Sequence, residues 1–118
     1  MKLYGIPNCN TVKKARDWLE QHSIEFEFYD FKKHGLDTKT AENWLKQVDW
    51  TKLVNRSGMT WRKLNEEQKQ NVKDAHTALL LMQEKTSVIK RPILEKNSKI
   101  LHMGFDESAY SEIFNPDS

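Results

Sequence analysis

The sequence predicts an α/β domain with a mixed four-stranded sheet and a helical insert. Three observations support this prediction. A short apolar strand and an amphipathic helix open the chain, an alternating strand follows, and a strand hairpin with a last helix closes it. Between these parts the apolar residues have helical spacing. With 118 residues, of which 37% are hydrophobic, the chain is long enough for one core but too short for two full-sized domains.

The chain begins with a strand and a helix. Residues 2–6 are predicted as a strand that ends at Pro7 and Asn8, because proline lacks a backbone donor and asparagine favours turns. A helix from Cys9 to about His22 follows directly. Apolar residues at helical spacing define its inner face: Val12, Ala15, Trp18 and Leu19. The pattern therefore predicts Cys9 at the N-terminus of the first helix.

A second strand and a second helix come next. Residues 24–30 alternate apolar and acidic side chains, which predicts a half-buried strand. Its inner face is predicted to carry Ile24, Phe26 and Phe28. After a turn at Gly35, Asp37 or Thr38 is a candidate N-cap for a helix. The apolar stripe of that helix consists of Ala41, Trp44, Leu45 and Val48.

The middle of the chain, roughly residues 38–84, is predicted as a helical insert. The turn-rich segment 55–58 interrupts the helical pattern and favours an exposed loop. Asn65 and Gln68 have the spacing of a capping box, and a further helix is predicted after Asp74. Three apolar side chains of the insert are expected to pack away from solvent: Trp44, Leu45 and Leu79.

Two strands and a helix are predicted at the end of the chain. Residues 88–95 and 100–103 form a strand hairpin across a turn at 96–98, and Pro92 lies at the entrance of its first strand. Residues 106–114 have the pattern of a closing helix. A β-α-β unit, a helical insert and a β-β-α unit together have the connectivity of the thioredoxin-like fold.

Composition and charge argue against several classes of function. A formal net charge of +2 is far from the concentrated positive charge of a nucleic-acid-binding surface. The single cysteine cannot form an intramolecular disulfide, and the four histidines lack metal-ligand spacing. No run approaches the ~20 apolar residues of a membrane helix. We therefore expect a cytoplasmic protein with no bound metal or cofactor, no direct nucleic-acid partner and no membrane association.

Three segments resemble a known family. They are residues 4–15 (YGIPNCNTVKKA), residues 53–58 (LVNRSG) and residues 89–94 (IKRPIL). At this spacing they resemble the ArsC (arsenate reductase-like) family, in particular its YffB-like branch, to which the Spx regulators are related. The resemblance implies a thioredoxin-like domain in which a cysteine thiolate works with oxyanion-binding arginines. It also implies a cis peptide bond before Pro92, and glutathione or glutaredoxin as the reducing partner.

Cys9 and Arg91 are the candidate catalytic residues. The N-terminus of a helix favours a thiolate over a thiol, so Cys9 has the setting of a nucleophile. Its alternative role is that of a small buried hydrophobic residue. The resemblance implies that Arg91, fixed by Pro92, faces Cys9, where it would lower the cysteine pKa and bind two anion oxygens. Its alternative role is an ordinary surface ion pair.

Four further residues are candidates for binding an anion or glutathione: Asn8, Thr11, Lys13 and Arg56. Arg56 matches the loop arginine of the family, and Gly58 would let this loop fold toward a ligand. Lys13 would enlarge a positive entrance near Cys9. Because exposed lysines and arginines are common, a solvated surface is the alternative for both side chains.

The chain departs from its family in two places. Arsenate reductases of this type carry a further arginine after the Arg-Pro-Ile-Leu segment, whereas residues 98–104 contain none, which leaves Lys99 or His102 as substitutes in charge. Position 12 is valine, which rules out the Cys-x-x-Cys switch of Spx-type regulators. The leading hypothesis is a single-cysteine reductase that depends on glutathione or glutaredoxin, with an unknown substrate. The alternative is a non-enzymatic, Spx-like module whose insert binds RNA polymerase.

Overall fold

The computed structural model describes residues 1–115, which form two compact units. The sheet unit consists of residues 1–30 and of the residues from 91 onward, and the helical unit consists of residues 31–90. The strands are β1 Lys2–Gly5, β2 Glu27–Asp30, β3 Ile93–Lys96 and β4 Lys99–Met103. The helices are α1 Asn10–Gln21, α2 Phe31–His34, α3 Thr38–Gln47, α4 Trp50–Leu53, α5 Met59–Arg62, α6 Glu66–Gln70, α7 Ala75–Glu84 and α8 Glu107–Phe114, with a 3₁₀ turn at Thr86–Val88.

The sheet unit contains a mixed four-stranded sheet with the strand order β2-β1-β3-β4. Strand β1 lies parallel to β2 and antiparallel to β3, and β3 and β4 form an antiparallel hairpin. The hairpin turn places Asn97 and Ser98 at φ values of 51° and 67°, the conformation that tight hairpin turns require. This arrangement confirms the predicted α/β, thioredoxin-like fold.

The core of the sheet unit lies on the face of the sheet that α1 and α8 cover. It is built from six buried residues: Leu3, Ala15, Trp18, Leu19, Leu94 and Tyr110. The ring of Tyr110 meets the Trp18 ring edge-on, with 5.5 Å between the centroids. Such aromatic contacts add to the free energy gained by burying apolar area. They fix α1, and with it the segment that precedes the helix.

The second strand is shorter than predicted. Ile24 and Phe26 precede β2, which begins at Glu27, and pack against the core from the connecting loop. The cause lies in the pairing, because Glu27 is already opposite Lys2, the first residue of β1. Residues before Glu27 therefore have almost no chain left on β1 to pair with.

The helical unit packs around Trp44, which is fully buried and meets the Phe31 ring edge-on at a centroid distance of 6.3 Å. Leu79 is buried as predicted, whereas Leu45 is only half-buried, so that prediction was wrong. The interval 38–84 contains α3 to α7. The amide of Gln83 donates hydrogen bonds to the Leu36 carbonyl and to the Thr38 hydroxyl, which holds α7 against the start of α3.

Two predicted boundaries near the site differ from the structure. The strand expected over 88–95 begins only at Ile93, because Ile89 forms an isolated antiparallel bridge with Val54 inside the helical unit. The aperiodic segment after Trp50 contains the short helices α4 and α5, but 55–58 remains a turn. Each of these helices is only one turn long, too short to show a hydrophobic period in the sequence.

Within residues 1–115, no helix combines the length and apolar character needed to span a membrane. The same part of the chain has no group of three or more histidine, cysteine, aspartate or glutamate side chains arranged to hold a metal ion.

Candidate functional site

Cys9 is the N-cap residue of α1, as the sequence predicted. Its backbone is extended, with φ −102° and ψ 126°, and its carbonyl accepts the first helical hydrogen bond from the Lys13 N–H at 2.9 Å. The side chain is only partly buried, so the sulfur is within reach of solvent. No cap hydrogen bond of ordinary geometry joins this side chain to the helix. The sulfur therefore stands where a Ser, Thr, Asp or Asn oxygen usually caps a helix.

The surroundings of the sulfur favour the thiolate. Partial burial is the largest single influence and raises the pKa of Cys9, but several groups act against it. The backbone N–H of Val12, a hydrogen bond from the Arg91 side chain, the N–H of Thr11 and the charge of Arg91 together hold the pKa of Cys9 below its ordinary value. Val12 and Thr11 are the third and second helical residues, whose N–H groups have no partner inside the helix.

Arg91 reaches Cys9 from the segment just before β3. The peptide bond between Arg91 and Pro92 is cis, as the resemblance implied. The Pro92 carbonyl accepts a hydrogen bond from the Gly104 N–H at 2.8 Å, which ties this segment to the residue that follows β4. Gly104 has a φ of +83°, a conformation that favours glycine. The sheet therefore fixes the backbone that carries the Arg91 side chain.

The remaining predicted site residues divide between the two units. Asn8, Thr11 and Lys13 lie next to Cys9 with exposed side chains, so their predicted anion contacts remain predictions. Arg56 is exposed and belongs to the helical unit, where its guanidinium lies 5.6 Å from the centre of the Trp50 ring. Its predicted role as an anion ligand also remains a prediction.

The loop that carries Arg56 has a defined shape. The Asn55 side chain accepts a hydrogen bond from the Ser57 N–H at 3.3 Å, and the Asn55 carbonyl accepts one from the Gly58 N–H at 3.2 Å. A side chain at Gly58 would approach the Asn55 amide nitrogen to 2.9 Å. A residue larger than glycine at position 58 would therefore displace the Asn55 side chain, which accepts the hydrogen bond from the Ser57 N–H.

Lys99 and His102 are the two residues considered as substitutes for the family's further arginine, and neither is directed at the Cys9 site by the contacts that the structure shows. Lys99 pairs with Lys96, four residues beyond Pro92 and thus about 13 Å farther along β3. The half-buried His102 ring meets the Tyr110 ring edge-on at a centroid distance of 5.6 Å, so it packs against the core. Neither position supports the suggestion that one of these side chains replaces the family's further arginine.

Sequence reasoning missed one contributor to the site. The sequence predicts Val12 as an inner-face residue of α1 and shows that position 12 lacks a second cysteine, but the backbone N–H of Val12 also favours the thiolate. A signal was available, since the third helical residue is where the donor for an N-cap side chain is found.

The fold and the site define a class of protein. It is a thioredoxin-like α/β domain with a thiolate-favouring cysteine at the start of its first helix and an arginine before a cis-proline. A comparison with models of protein families matches the model described as the ArsC family to residues 4–113. The chain belongs to the ArsC family.

Proteins similar to this chain include several with solved structures. An uncharacterized protein of Haemophilus influenzae is 42% identical over 112 residues, which cover 95% of this chain and 96% of the relative. A solved structure of a YffB protein is 41% identical, with a TM-score of 0.86 and coverage of 93% and 95%. The solution structure of an arsenate reductase (ArsC) related protein from Brucella melitensis is 47% identical, with a TM-score of 0.76 and coverage of 97% and 93%.

Similarity extends to a regulator class. The global transcriptional regulator Spx of Enterococcus faecalis is 27% identical over 109 residues, which cover 91% of this chain and 80% of the relative. The proteins similar to this chain thus carry names of two kinds, arsenate reductase-related and regulatory.

Proposed function

We propose that the protein is a thiol-dependent oxidoreductase in which Cys9 is the nucleophile and Arg91 activates it and binds the anionic part of the substrate. The observation that carries this proposal is the convergence of four favourable influences on one partly exposed sulfur. A cysteine with only a packing role needs no group that favours the thiolate, and burial alone would raise its pKa and favour the neutral thiol.

The proposed substrate is an oxyanion with a reducible central atom. The Cys9 thiolate attacks that atom, and one oxygen leaves as water with protons taken from the solvent. An external thiol then attacks the Cys9 sulfur, and the electron pair of the bond between sulfur and substrate passes to the central atom. The product leaves two electrons more reduced, and Cys9 remains in a mixed disulfide. A second thiol releases the Cys9 thiolate, so two thiols become one disulfide in each cycle.

The thiols must come from outside the chain, because Cys9 is its single cysteine. Glutathione is the simplest donor, and its carboxylates are groups that an arginine binds in a bidentate manner. Glutaredoxin is the protein alternative. Arsenate is not assigned as the substrate, because residues 98–104 contain no arginine and neither Lys99 nor His102 takes its place at the site.

The experiment is to incubate the protein with oxidised glutathione and to follow its intact mass with time. We expect one glutathione adduct per chain, none for Cys9→Ser, and slower formation for Arg91→Ala. Lys39→Ala is the matched control, because Lys39 is exposed on α3 in the helical unit. An adduct that forms at the same rate with and without Arg91 would contradict the proposed role of this arginine.

A second candidate function is a Spx-like interaction module. It is favoured by Leu80, which is 51% exposed on α7 beside a groove lined by Leu64, Val72 and Leu81. Shielding of the cysteine would support this candidate, but Cys9 is partly exposed. Binding to purified RNA polymerase that is lost in Leu80→Asp, with no glutathione adduct at Cys9, would favour the module over the enzyme.

A further inference from the structure

Strand β1 and helix α1 approach each other unusually closely where β1 ends. A Cβ atom added to Gly5 would lie 2.8 Å from Cγ2 and 3.2 Å from Cγ1 of Val12. The first distance is shorter than carbon atoms tolerate without displacement. Gly5 and Val12 are both buried, and Val12 is completely so.

Neither partner can relieve such an overlap cheaply. Valine in a helix has one strongly preferred side-chain rotamer, so its methyl groups cannot swing aside. The close-packed interior around a fully buried side chain also resists displacement. A side chain at position 5 would therefore push on the backbone of Val12.

The need for glycine at this position is one of space. Gly35 and Gly104 have positive φ values, which favour glycine. Gly5 lies in strand β1, and its φ is not positive. An alanine would fit the backbone conformation of position 5. The three nearest atoms that its Cβ would meet all belong to Val12.

The contact bears directly on the site. Val12 presents its methyl groups to Gly5 and lies in the first turn of α1, the helix that Cys9 caps. Cys9 follows Gly5 by four residues, so the strand end and the first helical turn form one short loop around this contact. A shift of Val12 away from β1 would move the first turn of α1, and with it the N-terminus of the helix, relative to Cys9.

We propose that Gly5 is a positioning residue for Cys9: its missing side chain lets the first turn of α1, the helix that Cys9 caps, lie against β1. This inference rests on the proposed function, since the position of the helix start matters for chemistry only if Cys9 reacts as a thiolate. Gly5 itself touches neither substrate nor sulfur in this account.

The experiment measures the rate of Cys9 alkylation by iodoacetamide against pH, by intact mass, together with the midpoint of thermal unfolding. The variants are Gly5→Ala, Val12→Ala and the double variant, with Cys9→Ser as the blank. Arg91, the charged side chain that acts on the sulfur, is present in all of them. Iodoacetamide is neutral, so the rate follows the thiolate and not the charge of the reagent.

We expect Gly5→Ala to move the pH profile to higher pH and to slow alkylation at neutral pH by about threefold to tenfold, since the N-terminus of α1 would be displaced from the sulfur that it stabilises as a thiolate. Val12→Ala alone is the reference for the double variant, and its unfolding midpoint should be lower because two buried methyl groups are removed. The double variant should regain the profile of Val12→Ala, because the nearest remaining atom of residue 12 is Cβ, at 3.6 Å.

Two results would overturn the inference. In the first, Gly5→Ala lowers the unfolding midpoint without moving the profile, which is what a purely structural glycine predicts. In the second, the double variant remains as slow as Gly5→Ala or fails to fold, so that the contact with the valine methyls is not the constraint. Failure of the proposed function is a separate result, seen when unmutated Cys9 already titrates like an unperturbed cysteine.

Discussion

The helix at the site begins differently from four helices of the helical unit, which are α3, α4, α6 and α7. In the helical unit, four side-chain caps accept hydrogen bonds from backbone N–H groups of the first turn: Asp37 from Thr40, Asp49 from Thr51, Asn65 from Gln68 and Asp74 from Thr77. Helix α1 has Cys9 at the equivalent position and no such bond. Its N–H groups are therefore available to an anionic sulfur, and the comparison separates helix starts that stabilise the fold from one that prepares a reactive group.

The largest effect is expected from Arg91→Ala, which removes a positive charge and a hydrogen bond from Cys9. The pKa of Cys9 should rise, and alkylation at neutral pH should slow by about tenfold or more, because a charge-assisted hydrogen bond is lost. The measurement is the rate of iodoacetamide modification by intact mass. Lys39→Ala should be alkylated at the same rate as the unmutated protein. Equal rates for the unmutated protein, Arg91→Ala and Lys39→Ala would show that Arg91 does not activate Cys9.

A cap that only stabilises its helix should affect the free energy of unfolding and leave the reactivity of Cys9 unchanged. In the capping box of α6, the Asn65 side chain accepts a hydrogen bond from the Gln68 N–H at 2.8 Å, and the Gln68 side chain accepts one from the Asn65 N–H at 2.9 Å. We expect Asn65→Ala to lower the free energy of unfolding by about 1 kcal/mol in a denaturant titration. The rate of Cys9 alkylation should not change.

Gln70→Ala is the matched control for this cap, because Gln70 is exposed at the other end of α6. It should leave the free energy of unfolding nearly unchanged. Slower alkylation of Cys9 in Asn65→Ala would show that a structural cap in the helical unit also affects the reactive cysteine.

Tyr110 offers a test inside the core of the sheet unit. Its hydroxyl is buried and has no hydrogen-bond partner within residues 1–115, and burial raises the pKa of its phenol. Near neutral pH, Tyr110→Phe should not lower the free energy of unfolding and should raise it by up to about 1 kcal/mol, since a buried hydroxyl without a partner carries a desolvation cost.

The same variant has a signed dependence on pH. Because the folded-state pKa of Tyr110 is raised, its neutral form contributes stability that is complete below the unfolded value of about 10 and is lost as the pH rises above it. Tyr110→Phe should therefore be more stable than the unmutated protein in alkaline solution. If denaturant titrations above that pH show the same loss of free energy of unfolding for Tyr110→Phe and the unmutated protein, the raised pKa of Tyr110 is contradicted.

The smallest effect concerns Cys9 and stability. Because the folded-state pKa of Cys9 is lowered, its thiolate contributes stability that is complete above the unfolded value of about 8.5 and is lost as the pH falls through the folded value. The unmutated protein should therefore become more stable relative to Cys9→Ser, in free energy of unfolding, as the pH rises from the folded-state pKa to the unfolded-state pKa of Cys9. A difference that is flat with pH would contradict the lowered pKa.

The parts of the molecule that depend on local sequence could be predicted. The capping box is visible because Asn65 and Gln68 are three residues apart, and Cys9 falls at a helix start because Pro7 and Asn8 end the preceding strand. Local patterns also give the turn at Asn97 and Ser98. In each case, the residues that decide the structure are neighbours in the chain.

The parts that depend on distant partners could not be predicted in the same way. The start of β2 is set by the first residue of β1, and the orientation of His102 is set by Tyr110. The approach of Arg91 to Cys9 joins residues 82 positions apart in sequence, and only the family resemblance indicated it. The contact between Gly5 and Val12 is invisible in the sequence because it depends on how closely a helix approaches a strand.

If the start of α1 and Arg91 hold Cys9 as a thiolate, the titration of this single cysteine shows it most directly. The ultraviolet absorbance of the thiolate is measured against pH, with Cys9→Ser as the blank. We expect a midpoint below the unperturbed cysteine value of about 8.5, and a higher midpoint in Arg91→Ala. A midpoint at or above that value, unchanged by Arg91→Ala, would show that these groups do not stabilise the thiolate.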